Sequence, residues 1–189
     1  MARTITVNKG GGTNYGEGWK TATISRAAYG VYNDAKYIDV WFEGYPDNFN
    51  ARIYANVSNG EEWAMGQVFR FANAGITGGL EGDNGKMVIK MDDNPALLAG
   101  KQVNIYLYKD GKYSKILKQF APTEFKNVAE EFTSDDVIFW KGKADKYYEG
   151  FVKPKVIAKN QGEGVVDSNF VSSTTTNETS TASTDEIPF

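Results

Sequence analysis

The sequence of 189 residues predicts a mainly β domain followed by a long polar tail. Several short segments before residue 120 alternate apolar and polar residues, the period of a strand with one buried face. The composition then changes near residue 160: from residue 161 onward the chain carries five acidic residues and no Lys or Arg. We therefore expect a folded domain over residues 1–160 and a separate tail over residues 161–189.

The elements of the domain follow from periodicity. Alternation predicts strands at 18–26, 36–43, 50–57 and 86–91. In the second of these, Ile38, Val40 and Phe42 share one face, which should be the core face. Apolar residues at helical spacing predict a helix over 61–73, and the two acids that open it suit a helix N-terminus. A glycine-rich loop over 75–85 separates this helix from the fourth strand.

A hairpin is predicted over residues 101–120. Asp110-Gly111 suits a two-residue type I′ turn, which would place Tyr108 opposite Tyr113 and Tyr106 opposite Lys115. A helical segment is expected at about 134–150. About five strands with a helix after the third is the element order of an OB-fold barrel, and a β-sandwich is the alternative.

The absence of Cys and His narrows the chemistry. It excludes disulfides, thiolate metal sites and nucleophilic sites that depend on His. Two other patterns resemble functional sites but have a structural explanation. The loop from Gly79 to Lys86 lacks the spacing of a phosphate loop. The acid pairs at 92–93 and 135–136 are typical of a turn and of a helix start, respectively. We expect a protein without enzymatic activity, metal or cofactor.

The predicted outward positions are rich in aromatic and basic residues. Unpaired bases stack on aromatic rings for ~1–3 kcal/mol each, while Lys and Arg neutralise phosphates. The alternative is that Tyr favours strands and Lys keeps edge strands soluble. Removing the five tail acids from the net charge of −3 leaves residues 1–160 at +2, which suits an anionic ligand. The candidate DNA-binding residues are Trp19, Tyr37, Trp41, Arg52, Tyr54, Tyr106, Tyr108, Lys109, Lys112, Tyr113 and Lys115.

The tail combines a linker with a distinct tip. Residues 168–184 are mostly Ser and Thr and contain too few apolar residues to fold, so we expect a disordered linker. The tip that follows is Asp185, Glu186, Ile187, Pro188 and Phe189. It resembles the C-terminal tip of bacterial single-stranded DNA-binding proteins, in which a flexible linker ends in acids followed by Ile-Pro-Phe.

This resemblance covers the five tip residues closely and the tail loosely. It implies that the tip docks into proteins of replication, recombination or repair, with the ring of Phe189 in an apolar pocket and the acids against basic residues. The domain itself looks more like the divergent OB-fold proteins that bacteriophages encode for the same task. The resemblance leaves the oligomeric state open, including a homo-oligomer.

The sequence therefore predicts a protein that binds and protects single-stranded DNA without sequence preference. No segment approaches the ~20 apolar residues of a membrane span, and residues 1–12 are too polar for a signal peptide. We expect it in the bacterial cytoplasm, with or without phage infection. A carbohydrate-binding or adhesion module is the alternative, since such modules also use aromatic residues on β-sheets.

Overall fold

A computed structural model describes residues 14–82 and 85–162. The predicted linker and the tip at 185–189 lie outside these described residues. The strands are β1 Gly18–Tyr32, β2 Ala35–Phe42, β3 Asn50–Tyr54, β4 Val57–Ser58, β5 Glu61–Glu62, β6 Ile76–Glu81, β7 Met87–Met91, β8 Gln102–Asp110, β9 Tyr113–Ile116, β10 Phe125–Lys126 and β11 Glu131–Phe132. The helices are α1 Ala64–Phe71, α2 Ser134–Tyr147 and α3 Lys153–Gly162, and a π-helical turn, Tyr148–Val152, joins the last two.

The main element is an antiparallel five-stranded sheet with the order β3-β2-β1-β8-β9. Its central strand, β1, is 15 residues long and changes neighbour along its length. Residues 18–23 pair with β8, and the register from Ile24 onward pairs with β2. A bulge between Ile24 and Arg26 marks the change, and bulges bend the strand that carries them. The protein is thus mainly β, as predicted.

The predicted barrel closure is wrong, because the edge strands β3 and β9 are not paired with each other among the described residues. β9 has four residues, after which the chain stays beside β8 and Ala121 pairs with Asn104. The rings of Phe42, at the end of β2, and Phe120, which follows β9, are 5.7 Å apart. The sheet is therefore open.

The core lies on one face of the sheet, beneath α1. The predicted inward residues of β2, Ile38, Val40 and Phe42, are buried, and so are the apolar positions of β8. Phe69 of α1 is fully buried against them. The predicted helix after the third strand is confirmed. The Glu62 carboxylate accepts hydrogen bonds from the backbone N–H groups of Met65 and Gly66, at 2.9 and 3.2 Å, and so satisfies donors of its first turn.

The β8–β9 hairpin is confirmed with a different register. Asp110 pairs with Tyr113 and Tyr108 pairs with Lys115, so the two-residue loop is Gly111-Lys112. Only Gly111 of this loop has a positive φ, 61°, which is the pattern of a type II′ turn with Gly at the first central position. Each pairing moves by two residues, and the side chains therefore keep the predicted faces.

The C-terminal helical segment is also confirmed and extends beyond the predicted residue 150. Thr133 and Asp136 form a capping box at the start of α2, as the helix-start interpretation of the acid pair at 135–136 requires. No helix in residues 14–82 or 85–162 has the length and apolar character needed to cross a membrane.

Candidate nucleic-acid interface

The outer face of β2 and β3 carries four of the predicted residues. Tyr37 pairs with Tyr54 across the two strands, Trp41 lies further along β2, and Arg52 lies opposite Asp39. These positions alternate with the buried Ile38, Val40 and Ile53, which places their side chains on the face opposite the core. Arg26 of β1 joins them through its pairing with Trp41. We call Arg26, Tyr37, Trp41, Arg52 and Tyr54 the sheet patch.

Two guanidinium groups stack on aromatic rings in the sheet patch. The Cζ of Arg26 lies 3.6 Å from the ring centre of Trp41, and the Cζ of Arg52 lies 3.8 Å from that of Tyr37. Tyr54 packs edge-on against Tyr37 at 5.7 Å. The sheet patch thus places guanidinium groups beside aromatic rings, and both kinds of planar group can stack on a nucleobase.

Carboxylates partly neutralise this charge. Arg52 forms two hydrogen bonds with the buried Asp39, at 2.9 and 2.8 Å, and these raise the pKa of the guanidinium. Arg26 pairs with Asp47 at 3.2 Å, and both of these side chains are largely exposed. Exposed ion pairs are weak, so a phosphate can compete for Arg26 more easily than for Arg52. The sheet patch is therefore better suited to stacking on bases than to neutralising phosphates.

A second group of predicted residues is covered by the C-terminal helices. Trp19 and Tyr106 are neighbours on β1 and β8, with ring centres 5.4 Å apart. The ring of Tyr148 lies 5.0 Å from Tyr106 and 5.4 Å from Tyr108. The indole N–H of Trp19 donates a hydrogen bond to Asp145 at 2.8 Å. Burial raises the pKa of both Tyr106 and Tyr108. The rings of Trp19, Tyr106 and Tyr108 are thus half-buried, and they lie against the C-terminal helices.

The tip of the β8–β9 hairpin holds the remaining predicted residues. Tyr113 is 62% exposed, and the Nζ of Lys112 lies 5.3 Å from its ring. Lys115 is paired with Asp110. Lys109 lies on the opposite face from the tyrosines, where its Nζ donates a hydrogen bond to Ser114. The structure thus divides the eleven predicted residues among the sheet patch, a covered group and the hairpin tip.

Sequence reasoning did not predict that the C-terminal helices pack against Trp19, Tyr106 and Tyr108. Between residues 141 and 159 the chain has six Lys and two acids, interleaved with Tyr147, Tyr148 and Phe151. This is the same mixture of rings and cations that singled out the strands, so the signal was present. It also missed Arg26, which the bulge in β1 brings opposite Trp41.

These helices and the hairpin enclose a cleft of about 270 Å³, which we call the hairpin cleft. Its lining includes Tyr108, Asp110, Lys118, Phe151, Lys155 and Lys159. Within residues 14–82 and 85–162, no group of three or more acidic side chains is placed to hold a metal ion.

No protein-family model, curated protein or solved structure matches the chain. Its function must therefore be argued from this geometry.

Proposed function

We propose that this protein binds single-stranded DNA without sequence preference and protects it during replication, recombination and repair. The observation that carries the proposal is the sheet patch, in which Arg26 and Arg52 stack on Trp41 and Tyr37. Rings and planar cations on an open sheet face suit bases that are not paired with a second strand. Because stacking reads no base edge, this arrangement favours binding without sequence preference. It needs no enzymatic activity and no cofactor.

The architecture supports the same proposal. A bulged central strand, the order β3-β2-β1-β8-β9 and a helix after the third strand fit an opened OB-fold barrel. In OB-folds the face of the second and third strands, with the loops around it, binds oligonucleotides. The sheet patch lies mainly on β2 and β3. We accordingly propose a divergent OB-fold protein of the bacterial cytoplasm, akin to those that bacteriophages encode.

The proposal predicts a marked salt dependence. If about four or five phosphates are neutralised, log K for oligo-dT should fall with log salt at a slope of roughly −3. Fluorescence anisotropy titrations at several salt concentrations would measure this slope, and a duplex of the same length is the matched control. A nearly flat slope, or tighter binding to the duplex, would contradict the proposal.

We further propose that the tip at 185–189 recruits proteins of replication, recombination or repair, as its resemblance to the bacterial tip implies. Deleting 185–189 should abolish capture of such proteins from a bacterial extract, because the ring of Phe189 and the neighbouring acids are the proposed anchor. Affinity for oligo-dT should stay equal or rise, since acids that compete with phosphate are removed.

The matched control deletes residues 172–176, five Ser and Thr residues of the linker, and so shortens the tail equally while keeping the tip. Both deletions are compared by pull-down and by oligo-dT affinity at low salt. Loss of DNA binding with unchanged capture in the 185–189 deletion would overturn this division of roles.

A carbohydrate-binding or adhesion module is the second candidate. The observation that favours it is the pairing of both arginines of the sheet patch with carboxylates, which lowers the positive charge beside the rings. A labelled oligosaccharide titrated beside oligo-dT distinguishes the two candidates. Saturable sugar binding without DNA binding would establish the second.

A further inference from the structure

The sheet patch supplies few cations for the phosphates of a bound strand. Its two cations, Arg26 and Arg52, are each paired with a carboxylate, that of Asp47 and that of Asp39. A single strand carries one negative charge per nucleotide, and neutralising phosphates is what makes its binding depend on salt. The salt dependence that the proposed function predicts therefore needs further cations close to the sheet patch.

The helix α3 directs two lysines into the hairpin cleft. Lys155 and Lys159 are four residues apart and both line the cleft, as do Val152 and Val156, which have the same spacing. Residues at this spacing are neighbours on one face of a helix. Both lysines are exposed. Like charges four residues apart destabilise a helix slightly, so an anion bound beside this pair relieves an unfavourable interaction.

The β8–β9 side of the cleft adds a third exposed lysine and one acid. The lysine is Lys118, which follows β9. The acid is Asp110, which is only 7% exposed and whose Oδ2 accepts hydrogen bonds from the Nζ atoms of Lys115 and Lys159. Lys118 and Lys155 take part in no ion pair among the described residues. Four lysines thus lie in or beside the cleft with one carboxylate, which leaves an excess of positive charge there.

The hairpin cleft adjoins the sheet patch through Lys118. The Nζ of this lysine lies 5.3 Å from the ring centre of Tyr54, and Tyr54 packs against Tyr37. A strand whose bases stack on the sheet patch therefore has Lys118 beside it. Because Lys118 also lines the cleft, the lysines of α3 are the next cations along this surface.

We propose that Lys118, Lys155 and Lys159 bind phosphates of the strand whose bases stack on the sheet patch. This inference rests on the proposed function, and it makes the hairpin cleft a binding site for the phosphodiester backbone. The sheet patch then contacts bases, whereas the cleft contacts phosphates. Since the phosphate is the same in every nucleotide, the cleft adds affinity without adding a sequence preference.

The double variant Lys118→Gln/Lys155→Gln, made in the full-length protein, tests the site. Each lost phosphate contact should weaken the salt slope of a single strand by about 0.7, so the wild-type slope of roughly −3 should become roughly −1.6. Over a tenfold rise in salt, the advantage of the wild type should shrink by about 25-fold. Anisotropy titrations with oligo-dT measure both quantities. Both side chains are exposed, so the melting temperature should not change.

Two matched variants accompany this experiment. Lys86→Gln/Lys90→Gln removes the same charge at two exposed lysines that do not line the cleft, and it should keep the wild-type slope. Lys118→Arg/Lys155→Arg retains both charges and should also keep it.

Three outcomes would contradict the inference. A wild-type slope in Lys118→Gln/Lys155→Gln would overturn the phosphate site and leave the proposed function in place. An equal weakening of the slope in both glutamine variants would do the same, because it would show an effect of net charge alone. No binding of oligo-dT by the wild type at low salt would overturn the proposed function as well.

Discussion

Trp41→Ala should weaken binding of oligo-dT by about 1–3 kcal/mol, the range measured for one stacked base. The substitution removes one of the three aromatic side chains of the sheet patch and also the ring on which the Arg26 guanidinium stacks, 3.6 Å from the ring centre. Arg26 would then lose the orientation that its planar contact provides, which adds to the loss. Anisotropy titrations at low salt measure the effect.

The matched control is Trp63→Ala. Trp63 is 43% exposed and directly precedes α1, outside the sheet patch and the hairpin cleft. Its removal should leave the affinity for oligo-dT unchanged. An equal loss in both variants, or a loss in Trp41→Ala that follows a fall in melting temperature, would give Trp41 a role in stability rather than in binding.

Phe69→Ala should lower the free energy of unfolding by about 3–5 kcal/mol, as truncation of a buried Phe does elsewhere. Phe69 is fully buried, and it carries α1 against the core face of the sheet. Its loss leaves a cavity that the surrounding side chains fill only in part. Urea denaturation of both proteins, compared at a common slope, measures the difference.

Phe139→Ala is the control for this prediction. Phe139 is 57% exposed on α2, and substitutions at such positions usually change stability by less than about 0.5 kcal/mol. A similar loss in the two variants would mean that the core does not lie where the structure places it.

The sequence predicted the strands whose alternation is uninterrupted. β2 begins and ends within one residue of its prediction, because Ile38, Val40 and Phe42 must share a buried face. β1 was predicted to end at residue 26 and runs to Tyr32. The bulge after Ile24 breaks the period of two on which the prediction of this strand rested.

Local turn chemistry located the hairpin but not its register. A type I′ turn at Asp110-Gly111 and a type II′ turn at Gly111-Lys112 both use the glycine, and the sequence does not separate them. Barrel closure could not be predicted from local turn residues, because it depends on whether two edge strands far apart in the chain meet.

For the site, alternation predicted the faces of Tyr106 and Tyr108. That Tyr148 packs on them is a tertiary contact, which no periodicity within the strand reveals.

The change of partner along β1 makes the sheet two half-sheets that share one continuous strand. One half-sheet, with β2 and β3, carries the sheet patch, and the other, with β8 and β9, forms one side of the hairpin cleft. Their backbones join at the bulge beside Ser25, so the angle between them is set at one position of the chain. The bulge borders Arg26 of the sheet patch and fixes the spacing between the sheet patch and the hairpin cleft. Lengthening or removing the bulge would alter this spacing while each half-sheet kept its own hydrogen bonds.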